Sequence, residues 1–358
     1  MPEHRVHSTL AARSAPGASV ALAYAQPLLE LLEERGQNLA QINQDERGHP
    51  LFNPSGETMS ATSYLRLLDE GAKRCADPQF GLHVGEKVKL GTYNVYGMLL
   101  MSCRDFGEAF QQTMRYEALA HDLGRSELIV DGDVAEYRWH SHFPDASPHL
   151  AESVFAGIRV FGDWFAGSKL PHAPVYFQHA APEDISEHRR VFGPGVHFGA
   201  SCHHSRFPAA LLNWPVPHAD TGLSAILRQH ADQLLMQKHR QHREHEIVHS
   251  LRQTISEQLA NEQWRLNDIA ATLQLSPRTL QRKLAEAGVS FQQILDETRH
   301  ELALSYLQNA DFSLSDIAFL LGYREQSAFQ HAFKEWTGVT PGAWRLQHRG
   351  TLNNCHQA

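Results

Sequence analysis

Apolar residues recur every three or four positions through most of this chain, and the breaks in that rhythm mark its strands and turns. Leu28, Leu29, Leu31, Leu32 and Leu39 predict one amphipathic helix over 26–42. Further helices are expected over 62–75, 106–121 and 149–165, with Ser102 or Asp105 capping the one at 106. Between the last two the period shortens. Ile129 and Val130 run into Asp131-Gly132-Asp133, and Val134, Tyr137 and Trp139 run out, a hairpin around an Asp-Gly turn. Short strands are expected at 175–179 and 196–200, with Pro, Gly and Asn clustered between them and at 213–217. From Gly222 onward the strand pattern disappears. Leu223, Ile226, Leu227, Leu234 and Leu235 keep helical spacing and lead into a polar, His-rich stretch. The expected fold class is an α+β domain over 21–221, a helical linker over 222–250 and an all-α domain over 251–349. Residues 1–20 are polar, lack the apolar run of a signal peptide and read as a disordered tail, and 350–358 as a second tail.

The helical region contains one pattern twice. In Leu266 to Leu284, Asp268, Ile269, Ala270 and Leu273 describe a short helix with one apolar face. Leu275-Ser276-Pro277 is a turn, with Ser276 suited to an N-cap and Pro277 to the first helical position, where its missing N–H costs nothing. Leu280 and Leu284 then face inward, leaving Arg278, Gln281, Arg282 and Lys283 outside. In Leu314 to Trp336 the pattern returns: Ser313 or Ser315 caps, and Asp316, Ile317, Ala318 and Leu321 match the earlier set. Gly322 allows the turn, Phe329, Phe333 and Trp336 form an inner face, and Arg324, Gln326, Ser327, Gln330, His331 and Lys334 remain outside. Ile294, Leu295, Thr298, Leu302 and Leu307 predict a spacer helix over 291–308. Each unit has the shape of a helix-turn-helix, whose second helix enters the major groove of DNA. Arg and Gln suit guanine and adenine edges there. Two such helices on a rigid spacer suit successive major-groove segments about 34 Å apart.

Charge does not strengthen this reading. The chain carries a formal net charge of −8, and within 248–349 ten basic residues meet eleven acidic ones. Placement of charge, not excess, would have to serve DNA binding. No apolar run reaches the length of a membrane span. Cys75, Cys103, Cys202 and Cys355 are scattered, which fits reduced thiols in a cytoplasm.

With these residues in view, 251–346 resembles the DNA-binding domain of the AraC/XylS family of bacterial regulators. The matching positions include Asp268-Ile269-Ala270, Leu275 to Arg282, Gly288 with Phe291, Ile317-Ala318, Leu321-Gly322-Tyr323, Ala332-Phe333-Lys334, and Trp336-Thr337-Gly338 with Pro341 and Arg345. The first half resembles the sensor domain of the ornithine-utilisation and VirS-like branch. Gly97-Met98-Leu99, Phe106-Gly107-Glu108-Ala109, Arg115-Tyr116, Val175-Tyr176-Phe177, Phe192-Gly193 and Val196 to Ala200 carry that likeness. The resemblance implies a regulator, an activator by preference, that binds double-stranded promoter DNA and engages RNA polymerase. It implies a small-molecule effector or a homodimer contact in the first domain, and neither catalysis nor a cofactor. Arg278, Gln281 and Arg282 would read bases in one groove segment and Gln326, Ser327, Gln330 and His331 in the next. Lys283, Arg324 and Lys334 would sit on phosphate. His331 departs from the arginine often found there, which implies weaker or pH-sensitive contact in the second unit.

Other motifs compete. His245-Glu246-Ile247-Val248-His249 is a literal HExxH, which on a helix can hold zinc with Glu246 as base. It lies in a polar linker without a third ligand, so a solvated helix is expected; a zinc hydrolase is one alternative. A metal-sensing regulator using His239, His242, His245 and His249 is another. Cys202-His203-His204 offers soft ligands but reads as a strand-end loop. Tyr93, Tyr96, Phe155, Phe161, Trp164 and Phe165 could line a ligand pocket, although aromatics at helical spacing more often fill a core.

Overall fold

The computed structural model describes residues 17–352 apart from 45–47, 218, 220, 262, 310 and 311. Contacts divide the chain between Lys238 and His239 into two units.

The first unit opens with β1 (Ser19–Ala21), α1 (Leu22–Glu34), α2 (Leu39–Ile42), β2 (Thr58–Ser60), α3 (Ala61–Arg74), α4 (Phe80–Glu86), α5 (Asn94–Met101) and α6 (Phe106–Tyr116). It continues with β3 (Gly124–Asp131), β4 (Val134–Ser141), α7 (Pro148–Phe165), β5 (Val175–Tyr176), α8 (Ser186–Phe192), β6 (Val196–His197) and β7 (His203–Pro208). β1 and β2 pair antiparallel, and the other strands form a five-stranded sheet in the order β3-β4-β7-β5-β6. Asp131 opposes Val134, so the Gly132-Asp133 pair makes a two-residue hairpin, with Gly132 at φ +55°.

Several local expectations change. The single helix expected over 26–42 breaks after Glu34, where Gly36 takes φ +74°. The tail expected to reach residue 20 stops short of it: Val20 is fully buried in β1 opposite Met59. Residues 1–16 lie outside the described residues. A three-residue strand has too few positions to show a period, and only its partner β2 reveals it. The strand expected over 175–179 is two residues long, although Phe177 N–H still donates to His197 O at 2.8 Å. His203 and His204, expected in a strand-end loop, instead open β7 between β4 and β5. The His204 ring is buried and lies flat against Tyr176, with centroids 4.3 Å apart. An imidazole can thus occupy an inward strand position, which a reading based on apolar alternation passes over.

α4 and α7 pack closely. A Cβ at Gly81 would come within 2.4 Å of His149 O, and one at Gly85 equally close to Ser153 O. Glu152 of α7, nearly fully buried, lies 2.8 Å from His188 Nε2 of α8.

α9 (Thr221–Gln258) is one helix of 38 residues, which includes the helical linker expected over 222–250 and runs on to Gln258. Its first half belongs to the first unit: Ala231 is fully buried and Leu227, Leu234 and Leu235 pack on the same core. Arg228 pairs with Glu108 at 3.1 Å, Asp232 with Arg115 at 2.8 Å, and Lys238 with Asp122 at 2.9 Å. Its polar outer face is what made the sequence resemble a linker.

The second unit takes the end of α9, then α10 (Leu266–Thr272), α11 (Pro277–Glu286), α12 (Phe291–Gln308), α13 (Leu314–Leu320), α14 (Gln326–Thr337) and α15 (Pro341–Leu352). It has two cores. Leu251, Ile255 and Leu259 join Ile269, Ala270, Leu280, Leu284, Ile294 and Leu295 in one. Ala303, Leu307, Ile317, Ala318, Leu321, Phe329 and Phe333 form the other. α12 supplies both, and Leu302 packs on each. Burying a Leu or Phe side chain is worth about 1.5–3 kcal/mol, so α12 is held at both ends by apolar contact.

Candidate nucleic-acid interface

Two turns set the site. In the first, Leu275 N–H donates to Ala270 O at 2.8 Å, and Gln274 takes φ +55°. In the second, Tyr323 N–H donates to Ala318 O at 2.9 Å, and Gly322 takes φ +74°. The left-handed residue thus falls at the same place in both units, five positions after Ile269 and Ile317. Glycine meets that demand freely, whereas glutamine strains to do so.

The helix after the first turn, α11, and the helix before the second, α13, each start on a side-chain cap. Ser276 Oγ accepts from Thr279 N–H at 3.1 Å, and Pro277 occupies the first turn of α11. In α13, Ser313 Oγ accepts from Asp316 N–H while the Asp316 carboxylate accepts from Ser313 N–H, a reciprocal cap. The Ser313 hydroxyl, which donates to the same carboxylate at 2.6 Å, and then the Ser313 N–H hold the Asp316 pKa below its ordinary value. Ser315 Oγ donates to Gln326 Oε1 at 2.7 Å and so ties the start of α13 to the start of α14.

On α11, Leu280 and Leu284 are buried, Arg278, Gln281 and Arg282 are exposed, and Lys283 is half-buried. On and before α14, Phe329 and Phe333 are buried, Arg324, Ser327, His331 and Lys334 are exposed, and Gln326 and Gln330 are half-buried. Two of the outward side chains already have a carboxylate beside them. Arg282 pairs with Glu286 at 2.8 Å, and His331 lies 3.5 Å from Glu335. Exposed pairs of this kind are worth about 0–1 kcal/mol, so a phosphate or base edge can displace the carboxylate. Ser327 Oγ donates to Glu325 Oε2 at 3.2 Å.

A residue that sequence reasoning passed over joins the two helix-turn-helix pairs within the second unit. Arg299 of α12 is 6% exposed. Its Nε–H donates to Leu321 O at 3.0 Å, and its guanidinium lies 4.4 Å from the Trp264 ring centroid and 4.6 Å from that of Tyr323. Burial lowers its pKa from the usual arginine value. A Cβ at Gly322 would meet Trp264 Nε1 at 2.7 Å, so Trp264 also rests on the second turn. The available signal was a charge at 299, on the inward face between Leu295 and Ala303.

The HExxH stretch lies on α9, where Glu246 and His249 are exposed and Ile247 and Val248 pack on the first core. Among the described residues no three His, Cys, Asp or Glu side chains group so as to hold a metal. Of the aromatics singled out in the first half, Tyr93, Tyr96, Phe155, Phe161 and Phe165 are buried and Trp164 is 52% exposed.

Two helix pairs joined by matching left-handed turns, each presenting polar side chains from the helix after the turn, define a DNA-binding transcription regulator. Residues 269–347 match the helix-turn-helix domain family, and 50–216 match the N-terminal arabinose-binding domain of AraC transcription regulators. The chain is 35% identical over 316 residues to the transcriptional regulator VqsM of Pseudomonas aeruginosa, covering 83% of this chain and 91% of that protein. It is 29% identical over 336 residues to the ornithine utilization regulator of the same organism, covering 91% and 96%. It is 25% identical over 296 residues to VirS of Mycobacterium tuberculosis, covering 80% and 84%. The chain belongs to the AraC family of transcription regulators, close to the ornithine-utilisation and VirS branch. These relatives are regulators and not enzymes, which leaves the zinc-hydrolase alternative without support.

Proposed function

We propose that α11 and α14 read promoter DNA in successive major-groove segments. Arg278, Gln281 and Arg282 contact bases in one segment, and Gln326, Ser327, Gln330 and His331 in the next. Lys283, Arg324 and Lys334 position the chain on phosphate. The observation that carries this is the exposed Arg278, Gln281 and Arg282 on α11, behind which Leu280 and Leu284 are buried. The double-helix-turn-helix domain begins with the end of α9, and the first unit serves as an effector domain and dimer contact. The family resemblance supports activation through RNA polymerase in the cytoplasm; among the described residues no helix is long and apolar enough to cross a membrane.

α11 dominates recognition in this reading, because a bidentate Arg–guanine contact discriminates by about 1–3 kcal/mol. Binding titrations of the full chain on a randomised-site library, at two salt concentrations, test it. Arg282→Ala should weaken specific binding more than His331→Ala and relax preference at one or two adjacent base pairs. Lys283→Ala should weaken all sequences alike and lower the salt slope by about one. A greater loss from His331→Ala, or an unchanged preferred site in Arg282→Ala, overturns the assignment.

A further inference from the structure

The first unit has a half-open apolar pocket of about 140 Å³ between the five-stranded sheet, α6, α7 and the segment leading into α9. A second lobe of about 100 Å³ lies beside it, and Phe106, Phe110 and Gly162 border both. Phe110 stacks on Phe207 across the wall, with centroids 5.6 Å apart. Three of the polar side chains that line it, Arg159, Ser205 and Tyr137, are already engaged. Arg159 donates to Leu170 O at 2.8 Å and pairs with Asp163 at 3.3 Å. Ser205 Oγ donates to Pro174 O, and Tyr137 Oη is bonded to Ser126 Oγ. A sugar placed against this lining would find few free partners for its hydroxyls, and each one buried without a partner weakens binding. A closed apolar cavity of about 150 Å³ holds one benzene-sized molecule, so this pocket has room for about one ring.

Gly162 is the second feature. It lies inside α7, where glycine is a poorer helix former than alanine. No close packing demands it: a Cβ there would meet only Leu170 Cδ1, at 3.1 Å, the tip of a flexible side chain. What its bareness preserves is the space between the two lobes.

The third feature is α6. Phe106 and Phe110 face the cavity, while Glu108, Arg115 and Tyr116 hold Arg228 and Asp232 of α9. Phe106 N–H also donates to Trp214 O, in the segment that enters α9 and lines the same cavity.

We propose that this cavity is the effector site and that its ligand is a compact apolar molecule, one aromatic ring or an equivalent short aliphatic chain. Occupancy moves α6 against α9, which runs on into the second unit. The assignment rests on the reading of the first unit as an effector domain. It departs from the sugar that the name of the matched domain suggests.

The test uses the full chain with toluene as the apolar probe and L-arabinose as the sugar control. Binding is followed by saturation-transfer NMR and thermal shift, and DNA affinity on the best duplex from the randomised library. Toluene should bind saturably and raise the melting temperature, and arabinose should do neither. Gly162→Leu, which fills both lobes, should weaken toluene at least tenfold while specific DNA binding persists. Gly162→Ala should melt at or above the wild type yet bind toluene more weakly, a combination that a purely structural glycine would not give. Phe207→Leu, which widens the wall, should shift preference toward naphthalene and guards against misfolding of the leucine variant. Absence of saturable toluene binding, displacement of toluene by arabinose, or indifference to Gly162→Leu overturns the apolar assignment. Toluene binding that Gly162→Leu blocks, with no change in DNA affinity, overturns instead the effector reading on which the proposal rests.

Discussion

Replacing Arg299 with methionine should loosen the second helix-turn-helix from the spacer helix while leaving the first intact. The variant keeps most of the aliphatic stem but removes the hydrogen bond to Leu321 O and the guanidinium lying near Trp264 and Tyr323. A hydrogen bond from a charged donor contributes about 1.5–3 kcal/mol, and a desolvated cation–π contact up to about 2 kcal/mol. Part of that loss returns because the variant no longer buries a charge. The expected net cost is about 2–4 kcal/mol, a fall in melting temperature on the order of 10 °C for a unit of this size. Thermal unfolding of the full chain followed by tryptophan fluorescence reads the change directly, since Trp264 sits in the contact. A footprint on the selected duplex should lose protection over one groove segment before the other. Arg299→Lys should not rescue, because an ammonium cannot stack as a planar guanidinium does. Melting within about 2 °C of the wild type, roughly half a kcal/mol or less, with both segments protected, would refute the clamp.

Glu117 predicts a pH dependence. Burial pushes its pKa up from 4.5 to about 7, against hydrogen bonds from Ser126 that pull it down. The folded chain therefore holds a proton that the unfolded chain has lost, and stability declines as pH rises from about 4.5 to about 7. The decline amounts to roughly 3 kcal/mol. Urea unfolding at pH 5 and pH 8 should show a smaller loss in Glu117→Gln than in the wild type; equal losses would count against a protonated Glu117. Gln274→Gly should stabilise the chain by roughly 0.5–1 kcal/mol by relieving the left-handed backbone of the first turn. A lower melting temperature in that variant would show that the glutamine side chain contributes more than its backbone costs.

Much of the second unit was legible in the chain itself. Its helices are amphipathic and local, so Ile269, Leu280, Ile317 and Phe333 announce their burial by spacing alone, and Ser276 and Pro277 announce where α11 begins. Family membership was likewise readable, because the motif positions are contiguous in sequence. The outward direction of Arg278 and Arg282 followed from the same period. The first unit was less open. The hairpin at Gly132 carries its signal in two residues, but β1, β2 and β7 exist only through partners distant in sequence, and β7 places polar histidines where a core strand usually shows Val or Ile. Three things were decided by tertiary structure. α9 became a continuous helix docked at its start because Asp232 and Lys238 find Arg115 and Asp122 more than a hundred residues earlier. The relation of the two helix-turn-helix units came to rest on Arg299, whose partners Trp264 and Tyr323 lie on different elements. The cavity beside Gly162 is space left between helices and sheet, and the chain's periodicity records which side chains turn inward but not how completely they fill the interior they share.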